Sequence, residues 1–352
     1  MSRVLDEIQL DFCDVLIKPK RTTLNSRKEA NILRSYEFKY YPHVIESCGI
    51  MAANMATTGT FEMRWALEKY NAITCLHKHY TVKELENKFG FWTNNPNRLP
   101  LVFISTGLKD DKEDLFKVLR ETDIDKVCVD IANGYIPNLI DFVKELRGRR
   151  PDILIMAGNV VTGDMVQDLI LAGADIVKVG IGPGSACTTR LKTGVGRPQL
   201  STILECADAA HGVGGMICAD GGCTCSGDIA KAFGAGADFV MLGGMLAGSD
   251  EADGKIVNIN GKTYKEFFGM SSKKAQEECF GGMKDYRTSE GREKLIPYTG
   301  PVSNIIEDIL GGIRSTMTYI GCRRLKDLPK CTTFYRVNRQ LNTVFEKMED
   351  IK

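Results

Sequence analysis

A single thiol lies in the stretch Gly180-Ile-Gly-Pro-Gly-Ser-Ala-Cys187-Thr-Thr-Arg190, directly after the apolar run 175–179. Cysteine is most often a buried small hydrophobe. Here the glycines leave no bulky side chains to bury it, and they bring backbone N–H groups close to whatever enters the loop. The hydroxyls of Ser185, Thr188 and Thr189 and the cation of Arg190 flank the sulfur. An anionic substrate and a proton donor are thus both served within one short segment, and Cys187 reads as a nucleophile rather than an ordinary loop cysteine.

Asp220-Gly221-Gly222 and Gly243-Gly244 follow two later apolar runs. Such glycines are either plain turns or backbone cradles for phosphate. Asp220 would repel phosphate but suits a ribose diol, whose hydroxyls donate to a carboxylate. A nucleoside monophosphate satisfies both features. Further along, Gly269-Met270-Ser271 and Tyr286-Arg287-Thr288-Ser289-Glu290-Gly291 stand out from charged surroundings. Glu290 could recognise a purine edge or handle a proton, and Arg287 could pair with an anion, although composition alone reads the segment as a solvated loop. Lys78, between His77 and His79, suits a phosphate or a cofactor, and a metal site from the two histidines is a weaker reading. Asp130, ahead of Ile131-Ala132-Asn133-Gly134, is a catalytic-face residue or a helix cap.

Something must bring these scattered groups together. Eight short apolar runs, at 50–53, 72–76, 101–105, 126–131, 153–157, 175–179, 216–219 and 239–242, alternate with segments of helical period such as 61–70, 111–121 and 162–172. Near-continuous apolar strands joined by amphipathic helices imply a parallel sheet covered by helices, and eight repeats close a (β/α)8 TIM barrel, with an open doubly wound sheet as the alternative. Polar and glycine residues collect after each run, at the rim where barrels carry their active sites. The sequence therefore predicts one barrel domain over 1–352. Residues 1–49 form an arm that covers the barrel bottom or packs on a neighbour. Residues 245–300 form a lid-like insertion after the eighth strand, with Asp253-Gly254 and Asn260-Gly261 as hairpin turn signals.

Bulk properties narrow the partners. A net charge of +1, from 46 basic and 45 acidic residues, gives no footprint for nucleic acid or an anionic membrane, so the expected partners are small molecules. No apolar run is long enough to span a bilayer and no secretory pattern opens the chain, so a cytoplasmic location is expected. The 12 cysteines, several inside apolar runs, then read as free thiols, and Cys223 with Cys225 has the wrong spacing for a zinc site.

Gly-Pro-Gly-Ser-Ala-Cys-Thr-Thr-Arg, Ala-Asp-Gly-Gly, the Met-Leu-Gly-Gly-Met run at 241–245 and Gly-Met-Ser-Ser together resemble the family of IMP dehydrogenase and GMP reductase, across essentially the whole chain. Within it, Met-Ala-Ala-Asn-Met-Ala-Thr-Thr-Gly at 51–59 and the Arg-Thr-Ser-Glu-Gly segment look like the reductase versions. No paired regulatory module is inserted between the early strands, and the dehydrogenase Arg-Tyr dyad is not evident. The resemblance implies NADPH-dependent reductive deamination of GMP to IMP and ammonia: Cys187 adds to C2 of the purine, Thr189 and Glu290 supply the proton for the departing ammonia, and hydride releases the thioimidate. The nearest rival is NAD-dependent oxidation of IMP to XMP, and more distant ones are a nucleotide-binding barrel without turnover and a flavin-dependent oxidoreductase.

By the same resemblance, GMP contacts fall on Ser185, Asp220, Gly221, Gly222, Gly243, Gly244, Gly269, Met270, Ser271, Arg287, Thr288, Ser289, Glu290 and Gly291. Nicotinamide-cofactor contacts fall on Ser26, Arg27, Lys78, Asp130, Ile131, Ala132, Ile181, Gly182, Met270, Tyr286, Arg287, Ser315, Thr316, Met317 and Thr318. Arg27 and Lys78 could select NADPH through its extra phosphate. A potassium ion (K+) would be held by the carbonyls of Gly182, Gly184, Cys187 and Arg190. A homotetramer is implied. No GxGxxG opens a strand-helix unit, which fits a barrel that borrows its dinucleotide site from loops and a neighbour.

Overall fold

The computed structural model describes residues 3–89, 101–270, 272, 275, 277 and 289–338. Ser271, Tyr286, Arg287 and Thr288 lie outside the described residues. Eight parallel strands, β1 (Ile50–Ala52), β2 (Ile73–Cys75), β3 (Val102–Thr106), β4 (Lys126–Asp130), β5 (Leu154–Val160), β6 (Ile176–Val179), β7 (Met216–Asp220) and β8 (Phe239–Leu242), form one closed barrel. The ring shuts where β8 pairs with β1, Val240 opposite Ile50 and Leu242 opposite Ala52. That closure removes the open-sheet alternative.

Strand alternation explains why the runs are apolar throughout. Met51, Cys75, Phe103, Cys128, Ile176, Cys218 and Phe239 point into the barrel, while Ile50, Val102, Val127, Val177 and Val240 meet the helices outside. The outer layer includes α1 (Phe61–Glu68), α2 (Val82–Phe89), α3 (Lys112–Glu121), α4 (Pro137–Arg149), α5 (Gly163–Ala172), α6 (Gln199–Gly212), α7 (Ser226–Gly234) and α8 (Val302–Ile320). In α8 the buried residues Val302, Ile306, Ile309, Leu310, Ile313 and Met317 recur three or four apart, the period of one helix face. The described cysteines are free thiols, and no helix among the described residues is long and apolar enough to cross a membrane.

Part of the arm packs against the N-terminal ends of the barrel strands. Its strands Arg34–Tyr36 and Ile45–Ser47 pair antiparallel, and Tyr36 stacks on Phe239 at 4.4 Å while donating to the Asp238 carbonyl. The backbone N–H groups of Tyr40 and Tyr41 donate to Asp175 at the foot of β6. An earlier part of the arm does something the sequence did not suggest: it climbs to the opposite rim, where the Asp11 carboxylate meets Arg190 and the Gln199 N–H.

The insertion is a three-stranded antiparallel sheet, β9 (Ile256–Ile259), β10 (Lys262–Phe268) and β11 (Glu293–Pro297), with β10 central. Asn260-Gly261 makes the two-residue turn between β9 and β10, as its sequence predicts. Asp253-Gly254 does not make a hairpin. It precedes β9, and Gly254 is needed because its backbone lies against the Glu266 carbonyl, where a Cβ would sit 2.3 Å from the oxygen. The sheet is anchored over the rim by Phe267, which packs with Ala186 and Ala247, and by the buried Lys265 ammonium, which donates to the carbonyls of Ser249 and Ala252.

Candidate active site

Cys187 sits in the loop between β6 and the short helix Thr189–Thr193, partly buried at the rim. Its Sγ lies 3.1 Å from Thr189 Oγ1, and that hydroxyl donates to Glu290 Oε2 at 2.8 Å. The three groups come from segments 101 residues apart, and backbone pairing brings them together. Cys187 bridges Gly291, the Thr188 N–H donates to the Glu290 carbonyl at 2.7 Å, and the Arg292 N–H donates to the Ala186 carbonyl at 2.9 Å. The segment leading into β11 therefore carries Glu290 to the thiol by ladder hydrogen bonds, with no need of a contact made by the sulfur itself. Thr188 and Ser289 flank the pair, Thr188 Oγ1 reaching the Ser289 carbonyl at 3.5 Å. Gly269 donates its N–H to the Arg292 carbonyl and runs so close to Ala186 and Gly291 that a side chain would crowd both. Next to it, the Met270 sulfur accepts from the Ala56 N–H at 3.3 Å.

Beside the thiol, three glycine loops converge on Ser185. Gly221, at φ +88°, places its α-carbon where a Cβ would lie 3.0 Å from the Gly184 nitrogen. Gly244 approaches from β8, where a Cβ would lie 2.5 Å from Ser185 Oγ, and Gly243 lies against the Met55 sulfur. Gly222 packs toward Phe12 and Gln199, further from the opening. Ser185 is exposed, so its hydroxyl faces solvent within a cradle of close-packed glycine backbone at the C-terminal ends of β6, β7 and β8, a shape that could hold an anion. The Gly244→Ala variant should keep its fold, because the Ser185 hydroxyl can rotate away. That rotation withdraws one charge-assisted donor, and the KM for a phosphate-bearing substrate should rise by about tenfold with kcat nearly unchanged. Steady-state kinetics beside a thermal melt checks this, and an unchanged KM would remove Ser185 from the cradle.

Below the cradle lies a charged cluster that the sequence reading missed. The Lys178 ammonium, on β6 and only 2% exposed, reaches Asp130 Oδ1 at 2.6 Å, Asn54 Oδ1 at 3.1 Å and Asp220 Oδ2 at 3.2 Å. Asn159 Nδ2 donates to the same Asp220 oxygen at 2.8 Å. Burial works against the charge on Lys178, but Asp130 and Asp220 outweigh it and hold its pKa well above the usual lysine value. Desolvation likewise pushes Asp130 up, yet the Lys178 charge and hydrogen bonds from Lys178 and Asn54 leave its carboxyl below the ordinary range. The only signal for this in sequence was a lysine inside the run Ile-Val-Lys-Val.

The remaining rim residues fall on the β2 to β5 side. Ile131 is fixed by exchanging backbone hydrogen bonds with Gly158 and Asn159, and Ala132 after it is exposed. Lys78 pairs with Asp110 at 3.2 Å. His77 stacks on Tyr80 at 4.0 Å, and burial, with some help from His79, pushes its pKa down to about 4. The histidines are thus aromatic packing, and no group of three metal-ligating side chains occurs among the described residues. Gly182 and Ile181 border Arg190, whose side chain threads past Gly182 to Asp11. The Gly184 and Arg190 carbonyls already accept from the Cys187 and Gly194 N–H groups, which leaves each one lone pair for a cation.

Ser26, Arg27 and the stretch Ser315 to Thr318 are not part of this rim. Ser26 caps the turn Arg27–Glu29, and Arg27, Lys28, Asn31, Leu33 and Arg314 line a cleft of about 520 Å³ on the flank of the barrel beside α8. Met317 is fully buried in the core, while Ser315, Thr316 and Thr318 are half-buried.

Comparison with known proteins gives a consistent picture. Residues 9–343 match the IMP dehydrogenase / GMP reductase domain. The chain is 53% identical over 347 residues to a GMP reductase of Phytophthora infestans, covering 98% of this chain and 95% of that protein. It is 51% identical over 349 residues to GMP reductase 2 of Homo sapiens, covering 99% of each, and 52% identical over 347 residues to a GMP reductase of Vibrio atlanticus, covering 98% and 99%.

Proposed function

The chain belongs to the IMP dehydrogenase and GMP reductase family, and from that premise we propose that it is an NADPH-dependent oxidoreductase that deaminates GMP to IMP and ammonia through a covalent bond to Cys187. The observation that carries this reading is the line Cys187 Sγ, Thr189 Oγ1, Glu290 Oε2, at 3.1 and 2.8 Å, beside the Ser185 cradle.

The phosphate of GMP is held by Ser185 and the backbone at Gly221 and Gly244, and its ribose hydroxyls donate to Asp220. This leaves the base between the thiol and the lid strand, beside Met270 and Gly291. The thiolate forms a bond to C2, which becomes tetrahedral. Amide-like nitrogen is a poor leaving group, so departure needs a proton, and the Thr189 hydroxyl, backed by Glu290, is in line to deliver it. The C2–N bond then breaks, ammonia leaves, and the purine stays attached to sulfur. When bound, NADPH would supply the hydride that C2 requires, and the C–S bond to Cys187 then breaks to release IMP with the thiolate regenerated.

The residues present fit the cofactor. Asp130 is an ionised acceptor beside exposed rim backbone, and Lys78 is a cation within reach of the same edge. Ser26, Arg27 and the 315–318 stretch lie on the flank, away from the Cys187 loop of their own chain, which supports a homotetramer in which a neighbouring copy supplies the far end of the cofactor site. The Gly182, Gly184, Cys187 and Arg190 carbonyls suit a hard monovalent cation such as K+, which would fix the loop that presents the thiol. Turnover is tested by following NADPH loss with GMP against NADH gain with IMP. Loss of NADPH with stoichiometric ammonia is expected, and NADH gain from IMP alone would reassign the chain to dehydrogenation.

A further inference from the structure

Lys178 sits on the barrel wall where one side chain reaches both nucleotide subsites of the proposed reaction, and the inference drawn from it rests on that functional reading. Its strand, β6, lies between β5 and β7, yet the ammonium contacts Asp130 at the end of β4 as well as Asp220 at the end of β7. Each carboxylate is about a quarter to a third exposed, with 36% for Asp130 and 24% for Asp220, so each shows a face to the active-site opening while leaning on the same buried cation. Asn54 from the loop after β1 holds the ammonium from a third side, and the thiols of Cys75, Cys128 and Cys218 line the barrel beneath it. Lys78 is the other cation that bears on Asp130.

We propose that Lys178 is a positioning residue that couples the two subsites, orienting Asp220 for the substrate ribose and Asp130 for the cofactor through one shared ammonium. The physical reason is charge balance in a desolvated place. Both carboxylates contact the same nitrogen, within 3.2 Å, so they lie inside the roughly 6 Å over which like charges raise each other's pKa. Without the lysine, two carboxylates this close disfavour each other's charge, and a carboxyl that takes up a proton offers fewer lone pairs to a ribose hydroxyl. With it, each carboxylate has an opposite charge beside it, and a ligand that draws one carboxylate toward itself changes the hold of the ammonium on the other. Such coupling between sites is typically worth a factor of about 5 to 150 in affinity.

Three variants test this. Lys178→Met should raise KM for both GMP and NADPH, by about tenfold each, and its GMP KM should climb further as pH falls from about 8 to about 6, because a carboxylate with a raised pKa is being protonated. The parent profile carries the titration of the GMP phosphate, whose second pKa is about 6, and is the reference against which the extra rise is read. Lys178→Arg, which can still bridge two carboxylates, should restore the parent profile. Asp130→Asn should weaken GMP binding measured calorimetrically without NADPH by about fivefold, as the ammonium shifts onto Asp220, although Asp130 makes no contact with GMP in the proposed site. Should Lys178→Met fail to fold, the Asp130→Asn titration decides alone. Unchanged GMP affinity in Asp130→Asn, or a Lys178→Met enzyme in which only one KM moves or the pH profile matches the parent's, overturns the coupling. A parent enzyme that does not consume NADPH with GMP overturns the functional reading instead, so the two failures are distinguishable.

Discussion

Replacing Cys187 by alanine should reduce GMP turnover to background, a fall of about 10⁵-fold or more on the scale seen when the nucleophile of a covalent enzyme is removed, while GMP binding survives. The contrast follows from how the loop is built. Cys187 is held by its backbone, through its N–H to the Gly184 carbonyl at 3.0 Å and its bridge to Gly291, and its side chain is only partly buried. Truncating the sulfur thus opens no cavity in the barrel interior, where the thiols of Cys75, Cys128 and Cys218 lie away from this loop. Ser185, Gly221 and Gly244 keep their places, so the phosphate retains its donors. Calorimetric titration with GMP should give a Kd within a few-fold of the parent, and NADPH consumption should vanish. Intact mass of the parent mixed with GMP in the absence of reductant should show a purine adduct that the variant lacks. Turnover by the alanine variant within tenfold of the parent would refute a covalent role for the sulfur.

The reason this loop could be read from sequence is that its chemistry is local: the glycines, the hydroxyls and the thiol fall within 11 consecutive residues. The barrel was legible for a related reason, since each strand declares itself by an apolar run and each helix by its period. Lys178 was not legible. Inside Ile-Val-Lys-Val it reads as an interruption of a buried strand, and its partners, Asn54, Asp130 and Asp220, lie at the ends of three different strands that only barrel closure brings together. Asp11 is a similar case, an arm residue 179 positions from the arginine it pairs with. The Asp253-Gly254 turn was misassigned because the dipeptide signals a sharp bend or a close approach equally well, and here the glycine serves the Glu266 carbonyl. Glu290 lay between the two extremes. Its segment was conspicuous, but only the ladder from Ala186 to Arg292 shows which of its residues faces the thiol.

The proton path supplies the second large effect. Thr189→Val and Glu290→Gln should each slow the release of ammonia by about 10²- to 10⁴-fold, the usual contribution of a positioned general acid. The double variant should be little worse than the slower single one, since the hydroxyl and the carboxylate form one hydrogen-bonded unit and groups that act as a unit are not additive. Neither change should disturb the fold: Thr188 N–H to the Glu290 carbonyl, Cys187 to Gly291 and Arg292 N–H to the Ala186 carbonyl are main-chain contacts that survive both substitutions. The decisive comparison separates the two halves of the reaction. Presenting IMP and NADP+ runs the hydride step backwards, with the thiol bonding to C2 and no ammonia involved, and the burst of NADPH absorbance reports that step alone. For Glu290→Gln the burst should stay within severalfold of the parent while GMP deamination collapses, because the carboxylate is needed where nitrogen leaves and not where hydride moves. Equal losses in both halves, or losses that multiply in the double variant, would mean that Thr189 and Glu290 shape the pocket without carrying the proton.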